Sequence, residues 1–240
     1  MKRKYKISIA TVVYNACNYI EKTILSVINQ SYNNIEYIII DGASTDGTLD
    51  IIKKYQNKVD IFISEPDKGI YDAMNKVLKL ASGDFIIFIN ANDFFYSNNT
   101  IEECVNLFYN STSLYYGKAL FYKDFSENII CEYGEKINAF KLSKRNICQQ
   151  TIFYPKFYYK KNSFDLEFKI LSDWEYNMRA YSKKIEFRFI DKIISYYEYS
   201  GISSRLRDHK FEKKQKYIIL KNLGIKTFSQ LVLNKLNLIR

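Results

Sequence analysis

Apolar positions recur along the first ninety residues in short blocks that alternate between two periods. Lys6–Val13 is rich in Ile, Val and Thr and reads as a strand. Ile20, Ile24, Val27 and Ile28 then share one helical face, with Asn18 placed to cap it. Ile35–Ile40 is a second apolar strand, followed by a helix to about Tyr55 that Asp46 can cap. Val59–Ser64 predicts a third strand. Gly69 or Asp72 opens a helix that carries Met74, Val77, Leu78 and Ala81, and Phe85–Ile89 predicts a fourth strand. Repeated β-α units with continuously apolar strands imply an α/β fold with a mostly parallel sheet covered by helices.

Beyond residue 98 the pattern changes. Tyr and Phe become frequent, and Leu114–Lys123, Asn128–Tyr133, Thr151–Tyr154 and Glu186–Tyr199 predict antiparallel or mixed strands. A helix is expected over Ser172–Ser182, and the last thirty residues read as amphipathic helix. The expected organisation is a domain over 1–204 with halves at 1–98 and 99–204, followed by a basic helical tail over 205–240. There is no repeat, and only two prolines occur.

The net charge of +10 adds less than it first suggests, because ten Lys and Arg against two acids lie between Arg205 and Arg240. A basic tail, and not a basic groove, accounts for it, so nucleic-acid binding is disfavoured. The tail has two readings: a helix lying on an anionic membrane surface, or one packing its apolar side on the domain. Cys17, Cys104, Cys131 and Cys148 are widely spaced and form no C-x-x-C pair, which points to reduced thiols. No signal peptide or apolar block long enough to span a bilayer is visible, so a cytosolic protein is expected. The single His209 lies in a charged stretch and suggests no catalytic role.

The candidate chemistry sits where the predicted strands end, which is where open α/β sheets bind ligands. Asp41-Gly42 closes the second strand: its carboxylate can accept from a nucleobase or ribose, and the glycine permits close approach. Ser64–Lys76 gathers Glu65, Asp67, Lys68, Asp72, Asn75 and Lys76 around a helix start, a favourable place for a diphosphate. Helix capping by Asp72 is the plainer alternative. Asn90-Ala91-Asn92-Asp93 offers oxygen ligands for Mg²⁺ or Mn²⁺, with Asp93 the best single one.

Taken together, these segments resemble family 2 glycosyltransferases of the GT-A (Rossmann-like) fold. The resemblance runs from Ile7 to Ser204. It rests on Ile9–Asn15, Ser26–Tyr32, Glu36–Thr48, Ser64–Lys76 and Ile89–Asp93 in that order and spacing. It implies an inverting transferase that moves a sugar from a nucleotide-sugar, expected to be a UDP-sugar, to a hydroxyl of a glycan or lipid-linked acceptor in cell-surface polysaccharide synthesis. By the resemblance, Thr11 and Asp41 contact the base, Tyr14, Asn15 and Ser44 belong to the same nucleotide edge, and Asp67, Lys68, Gly69, Asp72 and Asn75 lie against the donor. Asp93, with Asn92 beside it, belongs to the metal motif, and Asp173 is the base, with Glu175 in reserve. Trp174 either stacks on an acceptor sugar or fills the core.

Two positions depart from the family pattern. Asn92 stands where a carboxylate is usual, and Gln149 stands where a histidine is usual. They motivate a second hypothesis, a sugar-nucleotide-binding partner subunit without catalysis. A nucleotidyltransferase is disfavoured, because Ala10–Ala16 carries neither a Gly-rich loop nor an arginine.

Overall fold

Alternating apolar residues on the central strands divide the interior into two layers. We describe a computed structural model over residues 4–123, 127–131, 133–134, 136–198 and 209–235. The strands are β1 (Ile7–Val13), β2 (Ile35–Asp41), β3 (Ile61–Ser64), β4 (Phe85–Phe88), β5 (Phe94–Phe95), β6 (Leu114–Lys123), β7 (Glu127–Cys131), β8 (Ile152–Pro155) and β9 (Phe187–Glu198). The helices are α1 (Ile20–Ile28), α2 (Thr48–Lys54), α3 (Ile70–Leu80), α4 (Thr100–Val105), α5 (Ala139–Lys144), α6 (Lys156–Tyr159), α7 (Ser172–Ser182) and α8 (His209–Lys235). The expected α/β architecture is present: β3-β2-β1-β4 run parallel, and the sheet continues through β8, β6, β9 and β5, with β7 paired to β6. β8 is antiparallel to both β4 and β6, whereas β9 runs parallel to β6.

Successive side chains on a strand face opposite sides of the sheet. Ala10, Val12, Ile38, Ile40, Ile86 and Phe88 therefore face one layer, with α3, α5, α7 and the first part of α8. Ile7, Ile9, Tyr37, Ile39, Phe85 and Ile87 face the other, with α1, α2 and α4.

Local starts differ from expectation in small ways. α1 begins after Tyr19, and Asn18 is not its cap. Asp46 accepts the Thr48 amide (3.0 Å) and hydroxyl (2.6 Å), but Gly47, in the left-handed region at φ 96°, is the cap position. α3 starts from Gly69 at φ 114°, a conformation that favours glycine. Predicted strand ends shift by one or two residues, and Glu186–Tyr199 resolves into the single strand β9.

The tail does not stand apart from the domain over its described length. Ile218 and Ile219 are buried in the same apolar layer as α5 and α7, with Leu223 and Phe228 packed against them. Asn222 Nδ2 donates to Glu175 on α7 (3.4 Å), and Gly224 breaks the helix. Ile225 is exposed. The side chain of His209 lies outside the described residues, as do the boundary at 204–205 and the tail beyond Lys235. No described helix is long and apolar enough to cross a membrane.

At the sheet edge opposite the strand ends discussed below, buried Glu36 accepts from Ser8 Oγ (2.6 Å), the Ser82 amide (2.7 Å), the Ser82 hydroxyl and Lys6 Nζ (2.9 Å). Burial would raise its pKa, but these donors outweigh burial and hold it at about 2, below the ordinary 4.5. A depressed folded-state pKa stabilises the protein above the unfolded value, and the contribution disappears as pH falls from near 4.5 toward 2. Discounting the solvent-exposed Lys6, the contribution is about 2 kcal/mol at neutral pH. Urea midpoints should therefore show Glu36→Gln clearly less stable than wild type at pH 7, with the gap narrowing by pH 3. A gap independent of pH would refute this.

Candidate active site

Register alone aligns the strand-end residues. Val13 lies beside Asp41, and Asp41 beside Ser64, across three parallel strands. On the other side of β1, Ile89 and Ala91 donate their amides to Ala10 and Val12 (2.9 and 3.5 Å), so the Asn90–Asp93 turn joins the same row. β8 runs antiparallel to β4, so the residues just before it return to this end of the sheet. There Gln150 Nε2 donates to Asp93 Oδ2 (2.7 Å).

The turn after β2 is tightly held by internal hydrogen bonds. Asp41 is fully buried and accepts from the Ser44 amide (2.9 Å), the Ser44 hydroxyl (2.5 Å) and the Ser64 hydroxyl (2.7 Å). Ala43 (φ 62°) and Asn15 (φ 46°) occupy the left-handed region, which non-glycine residues seldom adopt. Asn15 is held on both sides: its amide donates to Ser44 Oγ (2.8 Å) and its Oδ1 accepts from Thr45 (2.9 Å). Tyr14 stands exposed beside them. A Cβ at Gly42 would lie 2.6 Å from Asp67 Oδ2 and 3.3 Å from the Tyr14 ring, so glycine is what lets this turn approach the Asp67 loop.

Thr11 is positioned differently from the others. It is fully buried on the α1 side of β1, and its hydroxyl donates to Ile89 O (2.8 Å) and lies 3.1 Å from the Tyr37 hydroxyl. Both faces of β1 are covered at this point, so the side chain ties strands together and does not open onto the row of strand ends.

The loop before α3 folds its acids onto its own amides. Asp67 Oδ1 accepts from Gly69 N (2.8 Å), and Asp72 Oδ2 accepts from Lys68 N (3.0 Å). Asn75 grips Phe164 through both backbone groups, accepting its amide (2.7 Å) and donating to its carbonyl (2.9 Å). Lys76 pairs with Glu65 (2.8 Å), whereas the Lys68 side chain is exposed. Asp67 and Asp72 therefore shape the loop, Asn75 docks it on the second half, and Lys68 is the cation open to solvent.

Asn92 adopts φ 82°, a conformation asparagine tolerates better than most residues. Its carbonyl accepts from the Tyr122 hydroxyl (2.7 Å) and its amide donates to Thr23 Oγ1 (3.2 Å). Asp93 is 5% exposed, and its carbonyl accepts from Thr23 Oγ1 (2.8 Å). The Oδ1 of Asn90 is buried with no hydrogen-bond partner. No three His, Cys, Asp or Glu residues cluster as a metal cage among the described residues. One carboxylate beside an unsatisfied amide oxygen still fits a cation that takes most of its ligands from water and substrate phosphates.

Asp173 sits in the first turn of α7, partly open to solvent. Tyr71 of α3 donates to its Oδ1 (2.8 Å), and Asn146 donates to its Oδ2 (2.6 Å). Burial raises its pKa above the ordinary carboxylate value, and the donors from Tyr71 and Asn146 only partly offset this. The Cys148 thiol, which donates to Gln150 Oε1 (3.3 Å), lies within the influence of both Asp93 and Asp173. That thiol is pushed well up, first by burial and then by the nearby charge of Asp93, with Asp173 adding to it. Glu175 points elsewhere: it is 1% exposed and paired with Arg179 (2.8 Å), so it is not a free base. Trp174 is 4% exposed and donates to Leu142 O (2.7 Å), which makes it a core residue. Gln149 is buried, with its amide on Met74 Sδ (3.5 Å). Sequence reasoning missed Asn146, Gln150 and Tyr71. Their importance comes from hydrogen bonds across 27, 57 and 102 residues of chain, which no local spacing announces.

The chain is similar in sequence and fold to known glycosyltransferases. Over 198 residues the chain is 30% identical to a PGL/p-HBAD biosynthesis glycosyltransferase of Mycobacterium tuberculosis, covering 79% of this chain and 75% of that protein. It is 29% identical over 230 residues to the UDP-Glc:alpha-D-GlcNAc-diphosphoundecaprenol beta-1,3-glucosyltransferase WfaP of Escherichia coli, covering 94% and 90%. Among solved structures, S. aureus TarS 1-349 in complex with UDP-GlcNAc superposes with a TM-score of 0.68 at 21% identity, over 90% of this chain and 67% of that one. The mannosyltransferase PcManGT of Pyrobaculum calidifontis, in complex with GDP-Man and Mn²⁺, gives 0.63 at 14% identity, over 96% and 65%. Both share the GT-A fold described here. The sequence model of the family matches residues 8–182, from the first strand through α7. With the strand-end row and the α7 carboxylate both inside that span, the chain belongs to glycosyl transferase family 2.

Proposed function

We propose that this transferase inverts the anomeric centre of a UDP-sugar, using a divalent cation and Asp173 as base, and builds a cell-surface glycan on a hydroxyl of a glycan or lipid-linked acceptor. The carrying observation is that α3 joins both sides of the reaction. Its N-terminus follows the Asp67–Gly69 loop, and its Tyr71 holds Asp173.

The uracil and ribose lie along Tyr14, Asn15, Asp41 and Ser44, where Asp41 keeps its turn rigid. The diphosphate lies between the N-terminus of α3, exposed Lys68 and Asp93. A helix start stabilises added negative charge through its free amides and dipole. Asp93 would hold Mn²⁺ or Mg²⁺, which when bound neutralises charge on the departing diphosphate. Asp173 accepts the proton of the acceptor hydroxyl as its oxygen attacks the anomeric carbon. Burial raises its pKa above that of an ordinary aspartate, which makes it the stronger proton acceptor when ionised. Relatives acting on a UDP-sugar and solved neighbours holding UDP-GlcNAc or GDP-Man with Mn²⁺ support the donor class.

The test is a panel of UDP-, GDP- and dTDP-sugars with Mn²⁺, read as nucleotide release with and without chelator. Turnover of a UDP-sugar that chelation abolishes is expected. Asn92 and Gln149 favour a second reading, a non-catalytic sugar-nucleotide-binding partner. Calorimetric binding of UDP with no turnover across the panel would select that reading.

A further inference from the structure

The hydrogen bonds that reach Asp173 continue behind it. Asn146 gives its Nδ2 to Asp173, so its Oδ1 is left to accept, and Asn177 Nδ2 donates to it (2.8 Å). Asn177 Oδ1 then accepts from the hydroxyl of Tyr154 (2.8 Å). Tyr154 and Asn177 are completely buried. The order of donors is set from the Asp173 end, because an ionised carboxylate only accepts, which turns the Asn146 amide toward it and the Asn146 oxygen toward Asn177. A buried polar chain with every member satisfied holds its end group in one orientation.

Asn146 lies between α5 and the loop that carries Cys148 and Gln150. That loop also supplies the Gln150 contact to Asp93. One short segment thus touches both acidic centres.

We infer that Asn146, backed by Asn177 and Tyr154, is a positioning residue that aims the Asp173 carboxylate and favours its charged form until it takes up the acceptor's proton. The inference rests on Asp173 being the base. Asn146 acts on the reaction only through Asp173. The other titratable groups facing Asp173 are Tyr71 from α3, Tyr154 from β8 and Cys148 from the preceding loop. Burial holds all three far above neutrality, so they stay uncharged while Asp173 titrates. Asp93 and Cys131 act on Cys148 as well as Asp173 does.

The test reads the Asp173 titration directly, by carboxyl ¹³C NMR of aspartate-labelled protein, with Asp173→Asn assigning the signal. It is paired with kcat and donor KM for UDP-glucose and UDP-GlcNAc turnover in Mn²⁺. Removing a donor to the charged form raises a carboxylate pKa, so Asn146→Ala should move the titration up by about one unit. The same variant should lower kcat by about tenfold or more, with donor KM unchanged within about twofold. Asn146→Asp has nearly the same shape and guards against a folding defect. It places a second acid against Asp173, and the pair should titrate higher still. If Asp173→Asn abolishes turnover while Asn146→Ala leaves either the titration or kcat unmoved, the positioning role is wrong and the base assignment stands. If Asp173→Asn keeps full turnover, both fall.

Discussion

Asp173→Asn should lower kcat by about a thousandfold while UDP affinity stays within about twofold of wild type. The carboxylate is the one group in the first turn of α7 both partly open to solvent and held at each oxygen, by Tyr71 and Asn146. Asparagine keeps the shape but removes the proton-accepting charge, so binding and chemistry should separate cleanly. Its amide would also meet a donor, either Tyr71 or Asn146, at a cost of about 1–3 kcal/mol. A thermal melt should therefore show a modest loss of stability with an intact fold. In the wild type, kcat should fall on the acid side as Asp173 protonates, and burial places that limb above the range of an ordinary aspartate. Steady-state kinetics with calorimetric UDP binding checks the prediction. A variant with kcat within tenfold of wild type would exclude Asp173 as the base.

The second large effect belongs to Asp93. Asp93→Asn should reduce Mn²⁺-supported turnover by about a hundredfold or more and weaken Mn²⁺ binding in the presence of UDP. The reason is the thinness of the donor set. Asn92 contributes no charge, and its carbonyl is already engaged by Tyr122. Asp93 is therefore the main fixed negative charge offered to a cation at this turn. Gln150 donates to one of its oxygens at 2.7 Å, which fixes the orientation of the carboxylate. Manganese titrations followed by electron paramagnetic resonance, with and without UDP, measure the effect. Equal Mn²⁺ affinity in variant and wild type would move the metal assignment elsewhere.

The strand ends were legible because they follow from period and punctuation. Apolar blocks ending at Asp41-Gly42, Ser64-Glu65 and Asn90–Asp93 place their polar residues on one edge of any parallel sheet. The resemblance added Asp173, which capping chemistry alone would have explained away. What stayed hidden was direction within the site. Thr11 lies in the body of β1, where both faces are covered, so its hydroxyl is buried and spent on Ile89 O. Asn75 reads as a donor-site residue on its helix, yet its amide is taken by Phe164, eighty-nine positions away. Short elements such as β5, α4 and α6 carry too few residues for either period to register. Asn146 and Gln150 precede β8, and only the reversal of β8 against β4 brings them to the carboxylates.

The packing of α8 has a consequence for anyone who engineers this chain. Ile218 and Ile219 share the apolar layer on the inner side of the α5–α7 wall, and Asn222 reaches Glu175 two positions from Asp173. The helix is thus a buttress and not a detachable handle. Trimming it, or exchanging it for a relative's terminus, would loosen the wall behind Asp173 before it altered anything the exposed lysines do.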